Sequence, residues 1–159
     1  MVKVELEIIV NRPDWEVFTF LANPENDVLW RSHTTIVRRT NDGPLGPGSG
    51  YWYVTQVFPF RRTTGLWSVT SYSPDREVAF SGSFESGMQL RTGYVLSAAG
   101  EATRVRMTVE PDHLGMRRIM SGVAGMKLRK ATMEDISRLK RLLEDHQRRD
   151  LRVWRAMQG

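Results

Sequence analysis

The sequence predicts an α+β domain of one strand, two short helices, six further strands and a long C-terminal helix. Two observations predict this order. Between about residues 32 and 111, apolar and polar residues alternate with a period of two between short turns, and after Pro111 the period becomes helical. Short strands joined by tight turns form an antiparallel meander. The length of 159 residues and the absence of a linker or repeat predict a single domain over residues 1–159.

The N-terminal elements carry clear boundary signals. Residues 2–8 alternate apolar and charged side chains, which predicts a half-buried strand. Pro13 and Asp14 suit the first turn of a helix, and this helix has Trp15, Phe18 and Leu21 at helical spacing. Pro24 then ends it and begins a second short helix with the sequence PENDVLW.

The remaining elements follow from the same two periods. The six later strands are predicted at TTIVRRT, YWYVTQVF, TTGLWSVTSY, REVAFSGSF, MQLRTGYVLSA and TRVRMTVEP. A long helix over about 114–143 carries an apolar stripe of Ile136, Leu139, Leu142 and Leu143, with basic residues on its other face. This stripe is expected to pack against the sheet.

Composition excludes several classes of protein. The chain has no cysteine, so disulfides, thiolate metal sites and cysteine nucleophiles are absent. No run of about 18 apolar residues occurs, so we expect a cytoplasmic protein without integral membrane association. Residues 116–159 hold 12 Lys/Arg and 5 Asp/Glu. This basic end could face nucleic acid or an anionic surface, or be the solvated face of a helix; no nucleic acid is expected because only Trp154 could stack on bases.

Several segments together resemble a known family. These are VFTFLANPENDVLW, GLWSVTSYSPDREVAF, TRVRMTVE and the closing RLKRLLE. In this order they resemble the START-like superfamily, also called SRPBCC, which includes polyketide cyclase/dehydrase-like and lipid-transfer proteins. The resemblance covers about residues 2–145. It implies a helix-grip fold, in which a curved seven-stranded antiparallel sheet wraps around the C-terminal helix and leaves a hydrophobic cavity between them.

Physical reasoning also favours a cavity, because one helix cannot fill a deeply curved sheet. The candidate ligand-binding residues are Trp30, Tyr53, Thr55, Trp67, Phe80, Tyr94, Met107, Met120 and Ala124. Which face of strand 51–58 points inward stays open at this stage. The hydroxyl of Tyr94, on an otherwise apolar face, needs a buried partner or a ligand atom. The glycine-rich segment 114–126 is expected to open for ligand entry.

These features favour the binding of a small hydrophobic ligand such as a lipid, a polyketide or an aromatic metabolite. The alternative is a polyketide aromatase/cyclase-like enzyme with Tyr53, Tyr94 or His113 as acid–base groups. Arg91 alternates with Leu90 and is expected to face outward, so no arginine is expected in the cavity, which weakens the enzyme hypothesis. A further alternative is an interaction module that docks through the basic C-terminal extension, about residues 144–159.

No metal or cofactor is expected. The three histidines, His33, His113 and His146, lack metal-ligand spacing. The glycine-rich loop 41–50 contains two prolines and precedes a strand rather than a helix, so it does not match a phosphate-binding loop. The expected partner is a small hydrophobic molecule, and the chain could also form a homodimer.

Overall fold

The computed structural model describes residues 3–58, 61–85, 87, 89–111 and 123–145. Its elements are β1 (Val4–Val10), α1 (Asp14–Leu21), a 3₁₀ helix (Pro24–Leu29), β2 (Thr34–Arg39), β3 (Gly50–Phe58), β4 (Arg61–Ser73), β5 (Glu77–Phe84), β6 (Gln89–Ala99), β7 (Ala102–Pro111) and α2 (Val123–Asp145). The strands form a seven-stranded sheet in the order β1-β7-β6-β5-β4-β3-β2, with every neighbouring pair antiparallel. The predicted helix-grip architecture is confirmed.

The strand register defines one inner face of the sheet. Tyr53 pairs with Gly65, Trp67 with Gly82, and Tyr94 with both Val78 and Met107. Because side chains of paired residues lie on the same side of a sheet, these positions share one face. The buried residues of β1, β5, β6 and β7 lie on that face as well. Strand β3 therefore directs Tyr51, Tyr53 and Thr55 inward, which resolves the face left open by the sequence.

The opposite face of the sheet is charged at its β1 edge. Glu5 and Glu7 alternate with buried residues of β1 and lie beside Arg104 and Arg106 of β7. Their ion pairs measure 3.0 to 3.5 Å and all four side chains are at least 41% exposed. Exposed pairs contribute little to stability. Their main effect is to keep this face of the sheet in contact with solvent. The opposite face of β1 is therefore the one that packs inward.

Helix α2 packs its apolar stripe toward the core as predicted. Ile136, Leu139 and Leu143 are at most 2% exposed, and Leu142 is half-buried. The described part of α2 begins at Val123, so residues 114–122 of the predicted helix, and with them most of the predicted entry segment, lie outside the described residues. In the described ranges, neither α1 nor α2 is long and apolar enough to cross a membrane.

Helix α1 leaves one of its apolar side chains exposed. Trp15 is 44% exposed, whereas Val17, Phe18, Phe20 and Leu21 are buried. At about 100° per residue, Trp15 lies on the side of α1 opposite to Val17 and Leu21.

Candidate functional site

The candidate site is built on the short 3₁₀ helix that follows α1. The side chain of Asn23 accepts a hydrogen bond from the Glu25 amide at 3.1 Å and caps this helix. A 3₁₀ helix has three residues per turn, so Pro24, Asp27 and the following Trp30 lie on one side. All three are buried. The sequence predicts a short helix here, and the structure places the carboxylate of Asp27 on its buried side.

This helix inverts the usual burial pattern. Val28 and Leu29 are 38% and 39% exposed, while the neighbouring Asp27 is only 6% exposed. A carboxylate is seldom buried without a charged or hydrogen-bonding partner. The groups that contact Asp27 therefore determine how its carboxylate is stabilised in the interior.

Asp27, Arg31, Tyr53 and Tyr94 form a polar group, here called the Asp27 cluster. The Tyr53 hydroxyl donates a hydrogen bond of 2.7 Å to Asp27 Oδ2, and Arg31 Nε lies 3.2 Å from the same oxygen. Arg31 Nη2 donates to the hydroxyl of Tyr94. Tyr53 and Tyr94 are 6% and 2% exposed, whereas the Arg31 side chain retains 22% exposure. Arg31 thus has the most accessible side chain of the cluster.

Burial and pairing set the charges of Asp27 and Arg31. Burial raises the pKa of Asp27 above its ordinary value of 3.8, although Arg31, Tyr53 and Trp30 all favour the carboxylate. For Arg31, burial favours the neutral form, but Tyr94, Asp27 and Tyr53 outweigh it and raise the pKa of the guanidinium. Removing one partner of a buried ion pair costs about 3–5 kcal/mol. When both groups are ionised, a state that the 3.2 Å contact between them favours, their charges sum to zero.

The two tyrosines of the cluster remain protonated at neutral pH. Burial raises the pKa of Tyr94, and Arg31 opposes this only in part. Burial, followed by the neighbouring Asp27, likewise raises the pKa of Tyr53 well above 10.0. Both phenols are therefore hydrogen-bond donors or weak acids rather than bases. The one carboxylate of the cluster, Asp27, is its basic group.

Aromatic rings surround the Asp27 cluster. Trp30, which is fully buried, meets Tyr94 edge to face at 6.3 Å, and the Arg31 guanidinium lies 4.6 Å from the centre of a Trp30 ring. Phe80 packs against Tyr94 at 6.4 Å, and Trp67 against Tyr53 at 5.5 Å. Offset and edge-to-face rings of this kind offer flat apolar surfaces. The polar cluster is therefore set in an aromatic wall.

Three donors in this wall have no hydrogen-bond partner of normal geometry. They are Trp30 Nε1, Trp67 Nε1 and the Tyr51 hydroxyl, all inaccessible to solvent. The Trp30 indole does lie close enough to Asp27 to favour its charged form. Burial raises the pKa of Tyr51 to about 12, so this hydroxyl also keeps its proton. An unpaired buried donor costs about 1–3 kcal/mol, which an acceptor atom of a ligand would offset.

The structure brings most of the predicted site residues together. Tyr53, Thr55, Trp67, Phe80, Tyr94 and Met107 share the inner face of the sheet, with Trp30 beside them. The predicted need of the Tyr94 hydroxyl for a buried partner is met by Arg31. Met120 and His113 lie outside the described residues, as does the side chain of Ala124, whose backbone belongs to α2. Residues 146–159 of the basic extension also lie outside them.

The expectation that no arginine faces the interior is wrong. Arg91 does face outward, where it pairs with Glu110 at 3.8 Å, but Arg31 turns inward. The alternation of inward and outward side chains in a strand predicts the direction of Arg91. It predicts nothing about Arg31, which lies between the 3₁₀ helix and β2. The signal that could have found it is the spacing of four residues between Asp27 and Arg31, which suits an intrahelical ion pair.

Metal binding has no support in the described ranges. There, no group of three or more His, Asp or Glu side chains lies close enough together to hold a metal ion.

The fold and the site together define a helix-grip protein whose inner face combines aromatic surfaces with a charge-balanced polar cluster. The chain belongs to the family described as "Polyketide cyclase / dehydrase and lipid transport", which matches residues 1–144. The START-like resemblance is thereby confirmed. Among curated proteins, no sequence matches significantly.

Solved structures show the same fold at low sequence identity. A protein from Chromobacterium violaceum has a TM-score of 0.68 at 11% identity, covering 89% of this chain and 97% of that one. The di-domain ARO/CYC StfQ from the steffimycin biosynthetic pathway has a TM-score of 0.68 at 15% identity, covering 91% of this chain and 46% of that one. This chain thus spans about half of the di-domain protein.

A third solved structure bears on oligomeric state. A protein from Colwellia psychrerythraea, whose solution structure is a dimer, has a TM-score of 0.62 at 16% identity and covers 91% of this chain and 97% of that one. At this identity the likeness shows the fold alone. A homodimer of the present chain stays a prediction.

Proposed function

We propose that this protein binds a small neutral molecule with an aromatic or otherwise apolar body and at least one hydrogen-bonding oxygen. The ligand lies between the inner face of the sheet and α2. Its oxygen meets Arg31, Tyr53 and Tyr94, and its body lies against a wall of Trp30, Thr55, Trp67, Phe80 and Met107. The observation that carries the proposal is the Asp27 cluster set in aromatic rings.

Charge balance supports a neutral ligand. The ion pair of Asp27 and Arg31 sums to zero, and both phenols keep their protons. A ligand carboxylate would compete with Asp27 for Arg31 and leave one buried negative charge without a partner. Neutral oxygenated aromatics are therefore favoured over fatty-acid anions among the ligands expected from the sequence.

The unpaired donors support an oxygenated ligand over a plain hydrocarbon. Trp67 Nε1 and the Tyr51 hydroxyl have no acceptor, and Trp30 Nε1 has no hydrogen bond of normal geometry although Asp27 lies near it. A ligand with a hydroxyl or carbonyl oxygen can accept from one of them, while a hydrocarbon leaves all three unpaired. Sites that hold small molecules commonly combine mostly apolar walls with a few such polar groups.

Three probes of the same shape test the proposal: naphthalene, naphthol and naphthoate. Each is titrated into the protein while NMR follows the indole N–H signals of the tryptophans. We expect naphthol to bind most tightly and to shift the signals of Trp30 and Trp67, while the exposed Trp15 serves as an internal control. Equal or tighter binding of naphthoate, or shifts confined to Trp15, would refute the proposal.

A polyketide aromatase/cyclase-like activity is the second candidate, and one observation favours it. The site contains a carboxylate beside three donors, Arg31, Tyr53 and Tyr94, rather than a purely apolar lining. In such a reaction Asp27 would take a proton from the carbon next to a carbonyl, and the donors would stabilise the enolate oxygen. The raised pKa values of Tyr53 and Tyr94 assign them the donor role rather than that of a base.

Deuterium exchange into tetralone in heavy water tests this second candidate. Asp27 would accept the proton from the carbon next to the carbonyl and, after exchange with solvent, return a deuteron to the same carbon. We expect exchange faster than with an equal concentration of acetate, and we expect Asp27→Asn to abolish the acceleration. Exchange no faster than with acetate would leave binding without catalysis as the function.

A further inference from the structure

Helix α2 holds the backbone on both sides of Arg31. Arg138 Nη1 donates a hydrogen bond of 2.9 Å to the carbonyl oxygen of Trp30, which belongs to the peptide group preceding Arg31. Asp135 Oδ1 accepts a hydrogen bond of 3.1 Å from the amide of Ser32, which belongs to the peptide group following Arg31. The two helix residues also pair with each other at 3.3 Å. Both peptide groups of Arg31 are thus fixed by one turn of α2.

We propose that Asp135 and Arg138 are positioning residues that set the direction of the Arg31 guanidinium. Two bonded peptide groups restrict the backbone dihedral angles of Arg31, and these angles aim its side chain at Asp27 and Tyr94. The arrangement couples α2 to the polar anchor, so a ligand that displaces α2 also displaces Arg31. This inference rests on the proposed function only in taking Arg31 as the anchor for the ligand.

The burial of Asp135 supports a positioning role over an incidental surface contact. Asp135 is 8% exposed, although it lies on a helix rich in exposed charges. Its charge acts on the site as well, since it contributes to the raised pKa of Tyr94. The chain offers a matched control in the neighbouring Glu134, which has the same charge but is exposed.

The first test needs no ligand. NMR of the folded protein follows the Arg31 Nε–H signal in the wild type and in Asp135→Ala, Asp135→Asn and Glu134→Ala. We expect the signal to move or broaden in Asp135→Ala, and to stay in place in Glu134→Ala. Asp135→Asn should keep it nearly in place, because its amide oxygen can still accept from Ser32. An unchanged Arg31 signal in Asp135→Ala would overturn the inference, whatever the ligand proves to be.

The second test uses naphthol binding well below the melting temperature. Asp135→Ala should weaken binding about tenfold, as expected for the loss of a hydrogen bond to a charged group, and Asp135→Asn should bind like the wild type. In an Arg31→Met background, Asp135→Ala should have no further effect. Equal weakening in both backgrounds would overturn the inference. If Asp135→Ala fails to fold, Arg138→Leu is read in the same way; it removes the bonds of Arg138 to Trp30 and to Asp135 but leaves the bond between Asp135 and the Ser32 amide.

Discussion

At the scale of single residues, two glycines on the inner face of the sheet leave room for aromatic rings. A Cβ atom at Gly82 would overlap the indole ring of Trp67, its register partner on β4. Gly65 is similar, since a Cβ atom there would lie 2.9 Å from a ring carbon of Phe84. The rings of Trp67 and Phe84 therefore lie against Gly82 and Gly65, where no Cβ atom is in the way.

Gly82→Ala should displace Trp67 and destabilise the protein by about 1–3 kcal/mol, as overpacking of a filled core does. Gly93→Ala is the matched control, because its nearest heavy atom would be 3.5 Å away, an ordinary contact. Urea unfolding and the indole N–H signal of Trp67 provide the measurements. A Gly82→Ala protein with wild-type stability and an unmoved Trp67 signal would contradict the described packing.

A second residue-level prediction concerns pH. Glu144 Oε1 accepts hydrogen bonds from the Asn11 amide at 2.9 Å and from Lys140 at 3.0 Å, and these lower its pKa below 4.5. A carboxyl group whose pKa is lower in the folded state than in the unfolded state stabilises the fold at pH values above its unfolded pKa. This stabilisation is lost as the pH falls through the pKa of the folded state. Glu144→Gln should thus lower the free energy of unfolding by about 0.5–1 kcal/mol at neutral pH. The difference should vanish in acid; one that stayed constant with pH would refute this.

Among the elements, α2 is the one whose face the sequence predicts best. Leu139 is fully buried at the centre of its apolar stripe. Leu139→Asp should cost several kcal/mol, on the order of 4, because it buries a carboxylate with no designed partner. Met133→Asp is the matched control, since Met133 lies on the same helix but is 49% exposed. Thermal unfolding of both variants is the measurement, and similar melting temperatures would mean that the helix packs by another face.

The 3₁₀ helix shows where prediction from sequence reaches its limit. Pro24 and the capping Asn23 signal a short helix, but they do not distinguish a period of three from one of 3.6. In either helix Asp27 lies on the same face as Pro24, three residues before it, so burial of a carboxylate has to be read from its partners rather than from the helical period. Sequence patterns therefore identify Tyr53 and Tyr94 but not Asp27 and Arg31, which complete the same cluster.

At the scale of the whole molecule, topology was predictable because tight turns oblige successive strands to pair. The charged edge of β1 and the change of period after Pro111 then assign the sheet its inner face and its covering helix. The Asp27 cluster could not be predicted in this way. The hydrogen bond between Tyr53 and Asp27 spans 26 positions of the sequence, and the one between Arg31 and Tyr94 spans 63 positions. Both bonds therefore depend on the exact register of β3 and β6 relative to the 3₁₀ helix.

The central claim is that the site accepts a neutral ligand because Asp27 balances Arg31, and the ligand preference of Asp27→Asn tests it most directly. Asparagine keeps an acceptor for Tyr53 but removes the negative charge, so the guanidinium of Arg31 becomes free to pair with an anion. Calorimetry should find that the wild type prefers naphthol to naphthoate and that Asp27→Asn reverses this order. The same preference in both proteins, with both folded, would contradict the account.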